Sequence, residues 1–145
     1  MAGNQSKAGT RPLVIFAHSD GFDRLYQTAS IALTAAVSGR QVAVVLFFWA
    51  LRAVVKGKTD EFVFAPASGE AAREAAKKIP TGNNPLPSEM LHMARETGKM
   101  RLYACSASMQ YMGLELEETA KAVDEVVGLS TILRLSQQGA ETIYI

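Results

Sequence analysis

The stretch Pro12 to Phe48, PLVIFAHSDGFDRLYQTASIALTAAVSGRQVAVVLFF, decides the fold. It opens on PLVIFAH, a short apolar run with β-branched residues, which reads as a strand buried on both faces. Ser19, Asp20 and Gly21 break that run, and either Ser19 or Asp20 could cap a helix. From Phe22 to Ser38 the apolar positions Leu25, Ala29, Ala32, Leu33 and Ala36 fall at helical spacing, and Gly39 fits the C-terminal cap. Gln41 to Phe48 is a second buried strand. Strand, helix and strand joined by short connections predict parallel pairing with a right-handed crossover.

The same alternation continues outward. Trp49 to Val55 fits a short helix, and Phe62 to Ala65 fits a minor strand or an extended loop. Ser68 to Lys78 is a helix candidate with Glu70 near its start and lysines in its last turn. Within it Arg73, Lys77 and Lys78 are interleaved with Glu70 and Glu74, the pattern of a solvated helix face. Pro80 to Pro87 is a loop by its glycine, asparagines and prolines, and Ser88 opens a helix ending at Gly98. Arg101 to Ala104 reads as a strand, Ser106 to Met112 as a helix broken by Gly113, and Leu116 to Val123 as another helix. Glu125 to Val127 is a strand, Gly128 to Gln138 a helix, and Glu141 to Ile145 a closing strand. The predicted class is α/β, a three-layer α/β/α sandwich around a mainly parallel five-stranded sheet.

Bulk properties narrow the function classes. The chain has 145 residues, so residues 12–145 are expected to form one domain behind a flexible N-terminus, residues 1–11. Its 15 basic and 14 acidic residues leave a formal charge of +1, which gives no basic cluster for nucleic acid. One cysteine excludes an internal disulfide and finger-type zinc sites, and fits a reducing compartment. Met1 to Arg11 lack the apolar stretch of a signal peptide, so a cytoplasmic protein is expected. Val42 to Val55, VAVVLFFWALRAVV, falls short of the roughly 20 residues needed to span a bilayer, and Arg52 interrupts it. A buried strand running into a short amphipathic helix is preferred there over peripheral membrane contact.

Cys105 is the candidate chemical centre. It follows a predicted strand and precedes a predicted helix, and open α/β sheets gather ligands and reactive groups at the carboxyl ends of strands. Unpaired N–H groups and the positive dipole end at a helix start favour an anion, here the nucleophilic thiolate. Ser106 and Ser108 could donate further hydrogen bonds. A free cysteine is also an ordinary small buried hydrophobe, so position alone leaves both readings open.

The flanking sequence YACSASMQYMGL, Tyr103 to Leu114, resembles the DsrE/DsrF-like family of sulfur-relay proteins. That family places a cysteine after a strand, then a short helix with small and methionine residues, then a Met-Gly-hydrophobic turn. Cys105, Ser106, Ser108, Met109, Met112, Gly113 and Leu114 stand in that order. LFFWALRAVVKG, Leu46 to Gly57, is similar to the aromatic strand end of the DsrE-like branch with an insertion after the second strand. LPSEMLHMARETG, Leu86 to Gly98, is similar to that branch's helix before the cysteine strand, and Gly128 to Leu133 and the closing ETIYI also fit. The insertion of that branch is often rich in methionine or apolar residues, whereas Gly57 to Pro85 here is largely polar and alanine-rich. The resemblance implies a DsrEFH-like parallel α/β fold, a homo- or hetero-oligomer, and a persulfide mechanism without metal or organic cofactor. Cys105 would take sulfane sulfur from a donor protein or small persulfide and pass it to an acceptor thiol.

Other residues carry two readings each. His18 ends the first strand on the edge expected to hold Cys105, where it could tune the thiolate, donate to bound sulfur, or simply cap the next turn. Phe47, Phe48 and Trp49 could line the cysteine pocket or pack a subunit interface. His92 fits a helix face, and two separated histidines without matched carboxylates make a poor metal site. HSDGFD after the first strand lacks the dinucleotide-binding glycine pattern. The expected site is therefore Cys105 with His18, Phe48, Trp49, Ser106, Ser108 and Gly128 around it. The competing expectations are an oligomeric scaffold with an inert, buried Cys105 and a thiol peroxidase that borrows an external resolving thiol.

Overall fold

The computed structural model describes residues 11–137 and 139–145; the expected flexible segment 1–11 thus falls outside it except for Arg11. Arg11 is tied in place, its Nε donating to the Gly139 carbonyl while its own carbonyl accepts from Arg40 Nε.

The opening stretch folds as β1 (Leu13–Ala17), α1 (Phe22–Val37) and β2 (Val42–Leu46). α1 buries Leu25, Ala29, Ala32 and Ala36, the stripe its spacing requires, together with Phe22, Thr28 and Ala35. Gly39, at φ +87°, ends it by returning its N–H to the Ala36 carbonyl. The chain then forms α2 (Phe48–Val55), α3 (Gly69–Lys78), α4 (Pro87–Glu96), β3 (Met100–Cys105), α5 (Ser106–Tyr111) and α6 (Leu116–Ala122). β4 (Glu125–Val127), α7 (Leu129–Gln137) and β5 (Glu141–Tyr144) complete it, with single 3-10 turns at Pro66–Ser68 and Ile79–Thr81. The sheet order is β4-β3-β2-β1-β5, and every pairing is parallel. This is the expected three-layer α/β architecture.

Strand alternation divides the sheet into two faces. On the first, Leu13, Ile15, Ala17, Val42, Val44, Leu46, Met100, Leu102 and Ala104 meet buried residues of α1, α2, α4 and α5. On the second, Val14, Phe16, Val45, Tyr103, Cys105 and Val127 meet Ile132 of α7, with Leu135 partly buried beside them.

Several local details depart from the expectations. Neither Ser19 nor Asp20 caps α1: Gly21 holds the cap position, Ser19 Oγ accepts from the Gly21 N–H, and the Phe22 N–H donates to the Val63 carbonyl at 2.6 Å. Of the two expectations for residues 62–65, the extended loop is the one observed, held where Phe62 packs edge-on against Phe22 at 5.0 Å. α4 begins at Pro87, one residue early, because proline suits the first helical position. Its start is secured from a distance, with the Ser88 N–H donating to Asp60 Oδ1 at 2.9 Å. Phe48 starts a helix instead of ending a strand, and its φ of +40° makes the turn between β2 and α2 abrupt.

Candidate functional site

Three strands end together at the carboxyl edge of the sheet. Ala17, Leu46 and Ala104 are aligned across β1, β2 and β3, so the residues one step on, His18, Phe47 and Cys105, form the next row. Because Ala17, Leu46 and Ala104 all face the first layer, alternation turns that next row to the second face. Cys105 belongs to the second-face core, and Phe47 packs against it. The His18 ring stacks on Phe47 with centroids 4.6 Å apart and planes 7° apart. The order across the edge is thus His18, Phe47, Cys105. Two strand spacings separate the outer members by about 10 Å, with the Phe47 ring between them.

Backbone hydrogen bonds hold this edge. The Phe47 N–H donates to the Ala17 carbonyl at 2.9 Å, and the Ala50 N–H donates to the His18 carbonyl at 3.0 Å. On the far side of the cysteine, Cys105 pairs with Val127 of β4, so Gly128 borders it where the chain leaves the sheet. The Gly128 carbonyl accepts from Thr131 and Ile132 and so starts α7, whose first turns lie over this end of the second face.

Cys105 itself is the last residue of β3 and the cap residue of α5, in extended conformation and 5% exposed. Val45, Tyr103, Val127 and Ile132 are members of the same buried cluster. Ser106 is the first residue of α5 and half-buried. Ser108 is buried, but its Oγ has no hydrogen-bond partner and so donates nothing to Cys105. Met109 points into the first-face core, and Met112 packs against that core.

Phe48 and Trp49 stand at the start of α2, exposed by 39% and 55%. A left-handed backbone at a phenylalanine costs about 1–3 kcal/mol and persists only where surrounding packing holds it. Here it aims the Phe48 ring between His18, at 6.4 Å, and Tyr111 of α5, at 6.3 Å. With Tyr144 on Phe16 at 4.9 Å and Phe16 on Phe47 at 5.7 Å, six rings run in sequence along the edge: Tyr144, Phe16, Phe47, His18, Phe48 and Tyr111. A cleft of about 540 Å³ opens beside His18, with Asp20, Asp23, Arg24 and Val63 in its walls. Cys105 is not part of that lining.

The structure therefore brings Cys105 next to Phe47, Val127 and Gly128, and places His18 one ring further away. Val127, Ile132 and Tyr111 do not stand out in the sequence. For Val127 and Ile132 a signal existed, since strand parity and the helical period of Leu129 to Gln137 turn both toward the sheet. Among the described residues, no group of three or more His, Cys, Asp or Glu side chains could hold a metal ion. No helix among them is long and apolar enough to cross a membrane.

Residues 12–145 match the model of the DsrE/DsrF-like family. Comparison with curated proteins returns no match. Among solved structures, the chain is similar to a protein of unknown function, MTH1491, from Methanobacterium thermoautotrophicum. The TM-score is 0.55 at 16% identity, over 93% of this chain and 99% of that one. At that identity the likeness bears on the fold alone.

Proposed function

The chain belongs to the DsrE/DsrF-like family, and from that premise we propose that it is a sulfur carrier or sulfurtransferase that accepts sulfane sulfur on Cys105 as a persulfide and passes it to an acceptor thiol. Membership suggests a sulfur-relay role, and the observation that carries the finer reading is the place of Cys105. It lies at the carboxyl end of a central strand, at a strand-to-helix junction, where α/β folds put their reacting groups.

The step needs no net oxidation. The Cys105 thiolate attacks the terminal sulfur of a donor R–S–SH, the donor S–S bond breaks, and R–S⁻ leaves with the bonding pair. Cys105–S–SH then gives its terminal sulfur to an acceptor thiolate by the same displacement, and Cys105 departs as the thiolate. His18, Phe48, Trp49, Ser106 and Gly128 are proposed as the surroundings that receive donor and acceptor, with Ser108, also expected at the site, buried and so a support rather than a contact. His18, at about two strand spacings, suits contact with an incoming partner rather than with the sulfur of Cys105 at rest. Donor and acceptor are proteins or small persulfides, and the working compartment is a reducing one such as the cytoplasm. The exposed Trp49 and Phe48 support a homo-oligomer, since aromatic patches of that kind favour burial against a partner.

One observation favours a second reading, an oligomeric scaffold with an inert cysteine: Cys105 is buried at rest. The two are separated by incubating the native protein with a sulfane donor and measuring its intact mass. A carrier gains one sulfur atom, loses it to reductant, and fails to gain it as Cys105→Ser. A variant that still gains the sulfur would remove Cys105 from the role. A wild-type protein that gains none, with a thiol that reacts only after denaturation, supports the scaffold.

A further inference from the structure

We propose that α7 is a lid over Cys105, opening about Gly128 and Gly139 to expose a thiol that is covered at rest. This rests on the reading of Cys105 as the reacting group and adds how that group is reached.

The cover over Cys105 is far thinner than the packing of α1 on the first face. α1 alone places seven buried residues against the sheet and its neighbours, whereas α7 buries only Ile132 fully. Leu135 contributes partly, while Leu129 and Leu133 remain 58% and 49% exposed. A helix of nine residues is too short to be stable by itself in water, so its docking depends on these few contacts. Elements with few buried contacts open at lower free energy than the whole domain unfolds.

The ends of α7 are built for such a movement. Gly128 follows Val127, the residue paired with Cys105, and a Cβ there would meet nothing within 4 Å. Gly139, at φ +70°, lies just beyond the helix in a conformation that other residues resist. Neither glycine is held by packing at its Cβ position. A hinge at Gly128 would lift the turn carrying Ile132 away from Val127 and Cys105 while β4 stays paired with β3. The hydrogen bonds broken at the hinge are those from Thr131 and Ile132 to the Gly128 carbonyl, at 3.1 and 3.2 Å, which water can replace.

The test is the rate at which a thiol reagent labels Cys105 in the native protein as urea is raised from zero, set against the urea dependence of global unfolding. A lid gives labelling slower than in the unfolded chain, with a shallow urea dependence in the native range that steepens only near the unfolding midpoint. Ile132→Ala should raise the zero-urea rate by about 5- to 30-fold, because truncating a buried isoleucine weakens the docked state of α7 most. Labelling that follows global unfolding at every urea concentration overturns the lid, since Cys105 is then reached only by unfolding the domain. Labelling as fast as in the unfolded chain also overturns it, since no cover then exists. Both readouts come from the wild type, so a poorly folded variant does not decide the matter. Failure of sulfur loading with lid-like labelling would instead discard the carrier reading and leave the lid standing.

Discussion

The two faces of the sheet use the same strands and meet different covers. On the first, Ile15, Val44, Leu46 and Ala104 lie under α1, α2, α4 and α5, and α1 approaches closely because Ala29, Ala32 and Ala36 offer no bulk. On the second, Val14, Phe16, Val45, Tyr103 and Cys105 lie under α7, which contributes Ile132 and part of Leu135. Strand burial is complete at the centre of both faces, with Ile15 and Val45 each 0% exposed, but falls off on the second, where Tyr103 is 8% exposed, Ala43 is half-buried and Arg101 is exposed. The larger difference lies in what it would take to uncover them. Uncovering the first face means taking the domain apart, whereas uncovering the second means moving one short helix. The single cysteine stands on the side that can be uncovered without unfolding.

The largest stability difference is expected between Ile15→Ala and Ile132→Ala. Truncation of Ile15, deep in the first face, should cost about 3–5 kcal/mol in urea unfolding followed by Trp49 emission. Truncation of Ile132 should cost about 1–2 kcal/mol, because α7 can shift to fill the gap or detach while exposing little else. Equal losses would erase the asymmetry between the faces.

A smaller effect is expected at Asp124, which ties the start of β4, the strand from which α7 departs, to β3. Its carboxylate accepts from the Leu102 N–H and from Arg95, each at 2.7 Å, and so anchors the chain just before β4. Asp124→Ala should lower stability by about 1–3 kcal/mol and speed native labelling of Cys105 as β4 loosens. A loss of stability with unchanged labelling would detach the β4 edge from the cover over Cys105.

The smallest is expected at Asp60, which secures α4 on the first face through Ser88. Asp60→Ala should cost about 1 kcal/mol, the usual worth of a helix cap, and leave Cys105 labelling unchanged below the unfolding transition. Faster labelling in this variant would mean that the two faces open together.

Much of this arrangement was legible in the sequence, and the rest was hidden for physical reasons. The apolar spacing of Leu25, Ala29, Ala32 and Ala36 marked α1, and the β-branched runs marked β1 and β2. Cys105 was readable as a strand-end residue because a short apolar segment stops there and small polar residues follow. The face to which it turns required the register with Leu46 and Ala17, and strand order is a long-range property that local patterns do not encode. For the same reason the sequence puts Phe47 among the candidate neighbours of Cys105 without showing that its ring stands between Cys105 and His18. Phe48 gave no warning of its left-handed backbone, since the usual signals are glycine and asparagine and here the constraint comes from surrounding packing. The start of α4 carries a local cap, the Leu86 N–H donating to Glu89, but its second carboxylate, Asp60, lies 28 residues before Ser88, beyond the reach of a local pattern.

Cys105 as the sulfur-accepting thiol is tested most directly by locating added sulfur after incubation of the native protein with a sulfane donor and digestion at lysine and arginine. The peptide Leu102 to Lys121 contains the one cysteine of the chain, so the modification can be assigned to it by mass. The expected result is one additional, reductant-labile sulfur on that peptide, absent from the Cys105→Ser protein. A native wild-type digest with no sulfur on that peptide, or sulfur retained after Cys105→Ser, would contradict it.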